Sequence, residues 1–416
     1  MLRFVLVTLS FFTVVTARAE NWPQPRGPLG TGVSAERDIP IIWSEARGLH
    51  WKSPLPKGSS TPAVWGDAVF VTGQSGEDLQ LLRLSLKTGK TVWTQTVGRA
   101  NAVKDVKGIH PHAGPAPVTD GKRVIASFAN GDMAAYDFDG KQVWKRNLQE
   151  DHGPFLRTTG RASSPLLFQD TVFCTVIQPS PADVAPRPAE SYVAAYSAAT
   201  GGKKWKTPRK TKAVGEQAEA ETTPLVLTVD ERDQVIIFGG NQLDAYDTQS
   251  GKQVWSLANL TGGRTLTNPI YANDLIFAVR GGKKDTFALR PGEGELTKRN
   301  VVWERGDSSP ESCSPVAWGE WLFTITDDGN VCCRHAATGN TRWKHRLPGT
   351  YLASPIVTEG RLYFLNTAGV GTVLSAAPYY DKLTENRLDD EFYVSPAVSD
   401  GRLLLRGKRN LYCVGR

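Results

Sequence analysis

Cysteine is scarce and odd in number: five residues in 416, at Cys174, Cys313, Cys332, Cys333 and Cys413. An odd count leaves at least one thiol free even where the compartment permits disulfides. Dense runs of Lys or Arg are missing too. The formal charge of +7 is dispersed, which argues against a nucleic-acid-binding face. Helical periodicity of 3.6 residues is absent over any useful length, so a bundle of helices is excluded. No G-x-S-x-G elbow, P-loop or H-E-x-x-H occurs, which removes the commonest hydrolase, nucleotide and zinc-protease signatures. The one long apolar stretch, Phe4 to Val15, is too short to span a bilayer comfortably.

What the chain has is repetition. Ala245-Tyr246-Asp247-Thr248-Gln249-Ser250-Gly251-Lys252-Gln253-Val254-Trp255 reduces to A-x-D-x-x-T/S-G-x-x-x-W. Residues 195–205, 333–343 and 83–93 repeat it, with Thr200-Gly201, Thr338-Gly339 and Thr88-Gly89 in the turn, and residues 135–144 give a copy one residue shorter. Glycine at the seventh position allows a positive φ in a hairpin, and Asp at the third caps that turn. A Trp in each copy is too large to leave in water; it is expected to pack on the turn glycine of the next copy. The expected staples are Trp51, Trp93, Trp144, Trp205, Trp255, Trp303 and Trp343.

A second landmark opens each unit: Thr61-Pro62, Ala116-Pro117, Ser164-Pro165, Thr223-Pro224, Asn268-Pro269, Ser314-Pro315, Ser354-Pro355 and Ser395-Pro396. After each come a short apolar run, a turn and an alternating run, the pattern of short strands. Four antiparallel strands repeated radially make a β-propeller, here all-β with eight blades. The eighth unit stops at Arg416 without its Trp phrase, while Leu49-His50-Trp51-Lys52 reads as an orphan fourth strand. The N-terminal strand is therefore expected to complete the last blade and leave no open edge. The seventh copy lacks the turn-and-Trp phrase and runs into Pro378-Tyr379-Tyr380-Asp381. The longest irregular inserts are residues 178–191, rich in proline, and 206–221.

Arg3, the apolar stretch after it and Ala17-Arg18-Ala19 fit a secretory leader cut before Glu20. Removing Arg3 and Arg18 lowers the formal charge to +5. No cysteine stands near that point to carry a lipid. The expected division is 1–19 signal peptide, 20–42 N-terminal extension and 43–416 propeller, with the mature chain periplasmic or secreted and without a transmembrane segment.

The T/S-G-x-x-x-W phrase on a four-stranded blade resembles the tryptophan-docking repeat of the pyrroloquinoline-quinone (PQQ) propellers. That group includes PQQ-dependent alcohol dehydrogenases and the propeller lipoprotein of the outer-membrane barrel-assembly machinery. The resemblance covers residues 43–416. The opening Trp22-Pro23-Gln24-Pro25-Arg26-Gly27-Pro28, followed by Gly32-Val33-Ser34, is similar to the start of exported PQQ-repeat proteins of planctomycete-type bacteria. The dehydrogenase resemblance implies PQQ, Ca²⁺ held by Glu, Asn and Asp, a catalytic Asp, and a disulfide between adjacent cysteines. Cys332-Cys333 invites that comparison, but Cys333 holds the Ala position of the repeat phrase, so the pair reads as neighbours on a strand. No Ca²⁺ ligand set can be placed, and no catalytic residue or resident metal is expected. The assembly-factor resemblance implies a scaffold in the cell envelope, although the lipid-bearing cysteine of that family is missing.

Connections between consecutive blades share one face of a propeller. Three imidazoles fall there, His110, His112 and His152, of a type that suits zinc or copper. Arg157, Arg161 and Arg264 precede blade starts and are candidates to hold an anionic or peptide ligand at the channel mouth. The expected function is a monomeric, non-catalytic propeller without cofactor that binds an envelope protein or peptide. The alternatives are a PQQ-dependent quinoprotein dehydrogenase with calcium and a polysaccharide-binding accessory protein.

Overall fold

The residue before a proline is held extended, and each small-residue–proline pair accordingly launches a short inner strand. The computed structural model describes residues 20–100, 112–155, 163–178, 190–282 and 285–415. It is an eight-bladed β-propeller of eight separate sheets. Blades 1 to 7 occupy residues 63–99, 118–147, 166–208, 225–257, 270–305, 316–346 and 356–387. Blade 8 is split. Its three inner strands lie in 397–415, and the N-terminal strand Leu49–Pro54 pairs antiparallel with Asn410–Gly415, setting Trp51 opposite Cys413. The expected closing strand is therefore present. Among the described residues no helix is long and apolar enough to cross a membrane.

The core lies between blades, not within them. Phe70 and Leu81 of blade 1 share a cluster with Val124 and Tyr136 of blade 2. The same holds around the ring: Phe173 of blade 3 with Val235 and Tyr246 of blade 4, and Phe323 of blade 6 with Leu362 and Phe364 of blade 7. Alternation along each strand produces this, because successive side chains face opposite neighbours.

The repeat phrase builds the joint between blades. In blade 4, Asp247 Oδ1 accepts from Ser250 N at 2.8 Å; in blade 3, Ser197 Oγ does the same for Thr200 N at 3.4 Å. The capped turn lets Gly201 and Gly251 take φ of +68° and +70°. The outer-strand Trp of the preceding blade then lies flat on that glycine. A Cβ on Gly201 would stand 2.7 Å from Trp144, and one on Gly251 2.5 Å from Trp205. The indole N–H donates to a carbonyl of the next blade: Trp51 to Leu86 at 2.8 Å, Trp93 to Phe138 at 2.9 Å, Trp144 to Ala198 at 2.9 Å, Trp205 to Thr248 at 3.1 Å, Trp303 to Ala336 at 2.7 Å and Trp343 to Ala377 at 3.0 Å. A donor two residues after the Trp often adds a second bond, to the carbonyl of the turn glycine itself. Ser53 bonds Gly89 at 2.6 Å, Gln95 bonds Gly140 at 2.9 Å, Arg146 bonds Gly201 at 2.9 Å and Thr207 bonds Gly251 at 2.7 Å.

Trp255 departs from the expected arrangement. Blade 5 has no tight turn to receive it: its third strand, Thr286–Leu289, and its fourth, Val301–Arg305, are joined by a longer connection. Part of that connection, Gly294–Glu295, pairs parallel with the outer strand of blade 4, with Gly294 opposite Trp255. The Trp255 indole instead donates to Gln234 Oε1 of its own blade at 2.9 Å and is buried.

Candidate functional site

The axis of the propeller is where the blade starts converge, and their residue type now has a reason. The backbone N–H of Ala116 donates to Ser164 Oγ at 2.9 Å, Thr223 to Asn268 Oδ1 at 2.8 Å, Asn268 to Ser314 Oγ at 2.9 Å and Ser314 to Ser354 Oγ at 2.8 Å. Each pair joins one blade to the next. The small polar residues thus form a hydrogen-bonded belt around the channel, satisfying backbone groups that face no strand partner. Above the belt is a funnel of about 200 Å³ lined by blade-start residues from around the ring.

The floor of that funnel is the chain's own N-terminal segment. Residues 20–42, expected as an N-terminal extension, are built into the propeller: residues 22–36 touch one blade after another around the axis, and the chain then runs out to the outer strand of blade 7. Trp22 bridges Val64 in blade 1. Thr119 N of blade 2 donates to Pro23 O at 2.9 Å, and Leu167 N of blade 3 to Gln24 Oε1 at 3.1 Å. Val33–Ser34 adds a parallel strand inside blade 7. The Glu36 carboxylate accepts Asp400 N and Gly401 N of blade 8 at 3.0 Å each.

Arg26 is the hub. It is buried, and its Nη atoms donate to Pro355 O at 2.5 Å, Pro315 O at 2.6 Å and Thr31 O at 3.0 Å. Gly32 has φ +81° and leaves room for the guanidinium. Burial lowers Arg26 to about 10, with Cys313 opposing weakly, so it stays cationic at neutral pH. A second buried guanidinium, Arg406 of blade 8, donates to Ser60 O at 3.1 Å and to Ser60 Oγ. Burial brings it to about 9. Among the described residues neither pairs with a carboxylate; backbone carbonyls, and for Arg406 the Ser60 hydroxyl, accept from them, while Nε of both and Nη2 of Arg406 are without partners.

The expected ligand residues are dispersed. His152 ends the five-residue helix Leu148–His152, with its Nε2 2.6 Å from Tyr196 OH and its ring edge-on to Tyr192. Burial, then nearby Lys206, pushes its pKa down. His112 is buried beside the inner part of blade 2, and its carbonyl accepts from Ala129 N at 3.0 Å. Arg264 is spent on Glu219, at 2.9 Å, and Glu216, at 3.6 Å, rather than turned to the channel mouth. His110, Arg157 and Arg161 lie outside the described residues. Among the described residues no three His, Cys, Asp or Glu converge as a metal site would need. Cys332 and Cys333 sit on the third strand of blade 6, both buried, with free thiols. Burial pushes the Cys333 thiol up to about 12.

A second concavity, of about 570 Å³, opens between blades 3 and 4 and was not legible in advance. Lys210, Lys212, Gln242, Gln253, Ser256, Asn259 and Glu295 line it. Beneath it lies a fully buried ion pair, Arg209 Nε to Asp244 Oδ2 at 2.5 Å. Gln242 and Gln253 both donate their amides to Asp244 Oδ1, at 2.6 and 3.1 Å.

The profile of the outer membrane protein assembly factor BamB matches residues 37–179, 189–312 and 288–378. No curated protein matches the chain. Among solved structures, BamB from Moraxella catarrhalis superposes with a TM-score of 0.61 at 13% identity, over 88% of this chain and 99% of that one. A europium-containing methanol dehydrogenase gives 0.66 at 13% identity, over 95% and 89%. Quinohemoprotein alcohol dehydrogenase from Comamonas testosteroni gives 0.65 at 14% identity, over 95% and 80%. At such identities the likeness is one of fold.

Proposed function

The chain belongs to the family of the outer membrane protein assembly factor BamB, and from that premise we propose that it is an exported, non-catalytic propeller that docks an envelope protein or peptide. The observation that carries this reading is the filled channel. In a propeller the axial funnel is the natural place for a cofactor or substrate, and here its floor is Arg26 with two of its nitrogens committed to carbonyls. Around it stand neutral side chains, most of them small but Leu266, Leu352 and Tyr393 among them, and one carboxylate, Glu221. PQQ is an anionic quinone that would need free cations here, and a Ca²⁺ would need several oxygen ligands together. These residues do not fit either.

Docking would use the blade edges. The fold adds a strand to one outer edge, Gly294–Glu295 onto blade 4, and sets Ser44 as a single bridge to Arg387 on the outer strand of blade 7. The same mode captures extended peptides in other sheets. The residue before the Trp position is exposed on several outer strands, at Val92, Val143, Val302 and Leu383. The test is photo-crosslinking from Val92 and Val143 in cells. Discrete envelope-protein adducts, lost on unfolding the propeller, are expected; no adducts from either edge would overturn the reading.

The blade 3–4 cleft favours a second reading, a polysaccharide-binding protein. Its amide, hydroxyl and lysine groups match sugar hydroxyls in donor and acceptor type. Calorimetric titration with soluble oligosaccharides distinguishes it from the scaffold reading.

A further inference from the structure

Glu20, the residue that the sequence places first after leader removal, is held on every side. Its backbone N–H donates to Glu36 Oε1. Its carbonyl accepts from Ser399 Oγ of blade 8 at 2.7 Å. Its carboxylate accepts from Ser34 Oγ and, at 2.9 Å, from Ala35 N.

The acceptor Glu36 is unusual in turn. It is 7% exposed. Its carboxylate takes three backbone N–H groups, those of Glu20, Asp400 and Gly401. Among the described residues no Lys or Arg pairs with it; the guanidinium that follows that turn, Arg402, is engaged with Asp400 at 2.9 Å. A buried carboxylate held only by neutral donors lacks the counter-charge that normally accompanies burial.

Leader removal would supply that charge at the right atom. Water hydrolyses the Ala19–Glu20 peptide bond; the C–N bond breaks, Ala19 leaves with a carboxylate, and Glu20 keeps an α-ammonium. We propose that Glu20 is a processing-generated terminus whose α-ammonium pairs with the buried Glu36 carboxylate. This rests on residues 1–19 being a removed leader. The consequence is mechanical. Glu36 grips the first turn of blade 8, the blade that the N-terminal strand closes. While the leader is attached, Glu20 offers a single neutral N–H. After cleavage the donor is charged as well, and a hydrogen bond to the carboxylate becomes an ion pair. Processing thereby tightens the channel segment onto the closing seam.

Two measurements separate the layers of the claim. Mass spectrometry of the exported protein reports its first residue. A terminus at Glu20 is expected, and any other terminus would overturn the assignment through the leader reading. The pairing itself is read from a cycle of four proteins that begin at Glu20: free or acetylated amine, each with Glu36 or Glu36→Gln. The melting temperature of the free-amine chain should fall at least about 2 °C further on substitution than that of the acetylated chain. Equal falls would show that Glu36 binds only neutral N–H groups and would sink the pairing. If Glu36→Gln does not fold, free and acetylated chains with Glu36 suffice. A lower melting temperature on acetylation is expected, and identical values would contradict the pairing.

Discussion

The junction between blades 3 and 4 and the junction between blades 7 and 8 solve one problem in two ways. At the first, Trp205 lies on Gly251 and donates to Thr248 O, while Thr207 bonds the glycine carbonyl. All the parts come from the repeat. At the second, both parts are missing. Blade 7 carries Thr384 where the Trp belongs, opposite Val373, and split blade 8 has no third-to-fourth-strand turn to offer a glycine. The N-terminal segment fills the place. The Trp43 ring packs against Gly371 and stacks on Tyr363 at 6.4 Å, the backbone N–H of Trp43 donates to Asn386 Oδ1 at 2.7 Å, and Thr384 Oγ1 donates to Ile41 O. The comparison teaches that the missing indole at this joint is supplied by the start of the same chain, and that the closing strand and the plugged axis belong to one continuous segment.

Breaking the joint supplied by the start of the chain should do most damage. Deleting residues 43–55 removes Trp43 and the closing strand together, and cooperative thermal unfolding should be lost. A melting curve like the parent's would mean the ring closes without them. Next come the buried indoles. Trp205→Ala should cost on the order of 3–5 kcal/mol in denaturant titration, the usual range for a buried aromatic. Trp255→Ala should fall in that range too, because burial and not glycine docking sets the cost; a change within about 0.5 kcal/mol would mark either Trp as a surface residue.

Glycines sharpen the contrast further. Gly251→Ala meets both a φ of +70° and the face of Trp205, so a loss of roughly 3 kcal/mol is expected. Gly294→Ala has a φ of +68° with nothing within 4 Å, and only the backbone cost of about 1–2 kcal/mol should appear. Equal losses at the two sites would remove the docking joint from the account. The smallest effect belongs to Thr207→Val, which forfeits one bond to Gly251 O worth about 1 kcal/mol.

Blade number, the capped turn and the split last blade were legible in the sequence because each recurs at a fixed offset. The belt of blade starts was legible as a pattern but not as a role, since which N–H meets which hydroxyl depends on neighbouring blades. The donor two residues beyond the Trp, as in Trp51-Lys52-Ser53 and Trp205-Lys206-Thr207, was a readable signal that went unread; Leu257 stands at that place in the blade whose Trp does not dock. The axial segment was not legible. Residues 20–44 follow neither a strand nor a helix period, and Arg26 finds its partners, Pro315 and Pro355, through tertiary structure alone. The dispersal of His152 and Arg264 has a similar cause: each is taken up by partners on a neighbouring blade or connection, Tyr192 and Tyr196 for His152 and Glu216 and Glu219 for Arg264. The deviation at Trp255 follows from the longer connection in blade 5, whose Arg290-Pro291-Gly292 already breaks the phrase.

The central claim is that the axis is filled by the chain itself and that the propeller works without a cofactor. Titrating the mature protein with PQQ and Ca²⁺, followed by absorbance and by dye-linked oxidation of primary alcohols and sugars, tests it most directly. The account predicts no saturable uptake at micromolar PQQ and no turnover. Stoichiometric, Ca²⁺-dependent uptake that is lost in the Cys332→Ser, Cys333→Ser double variant would contradict it.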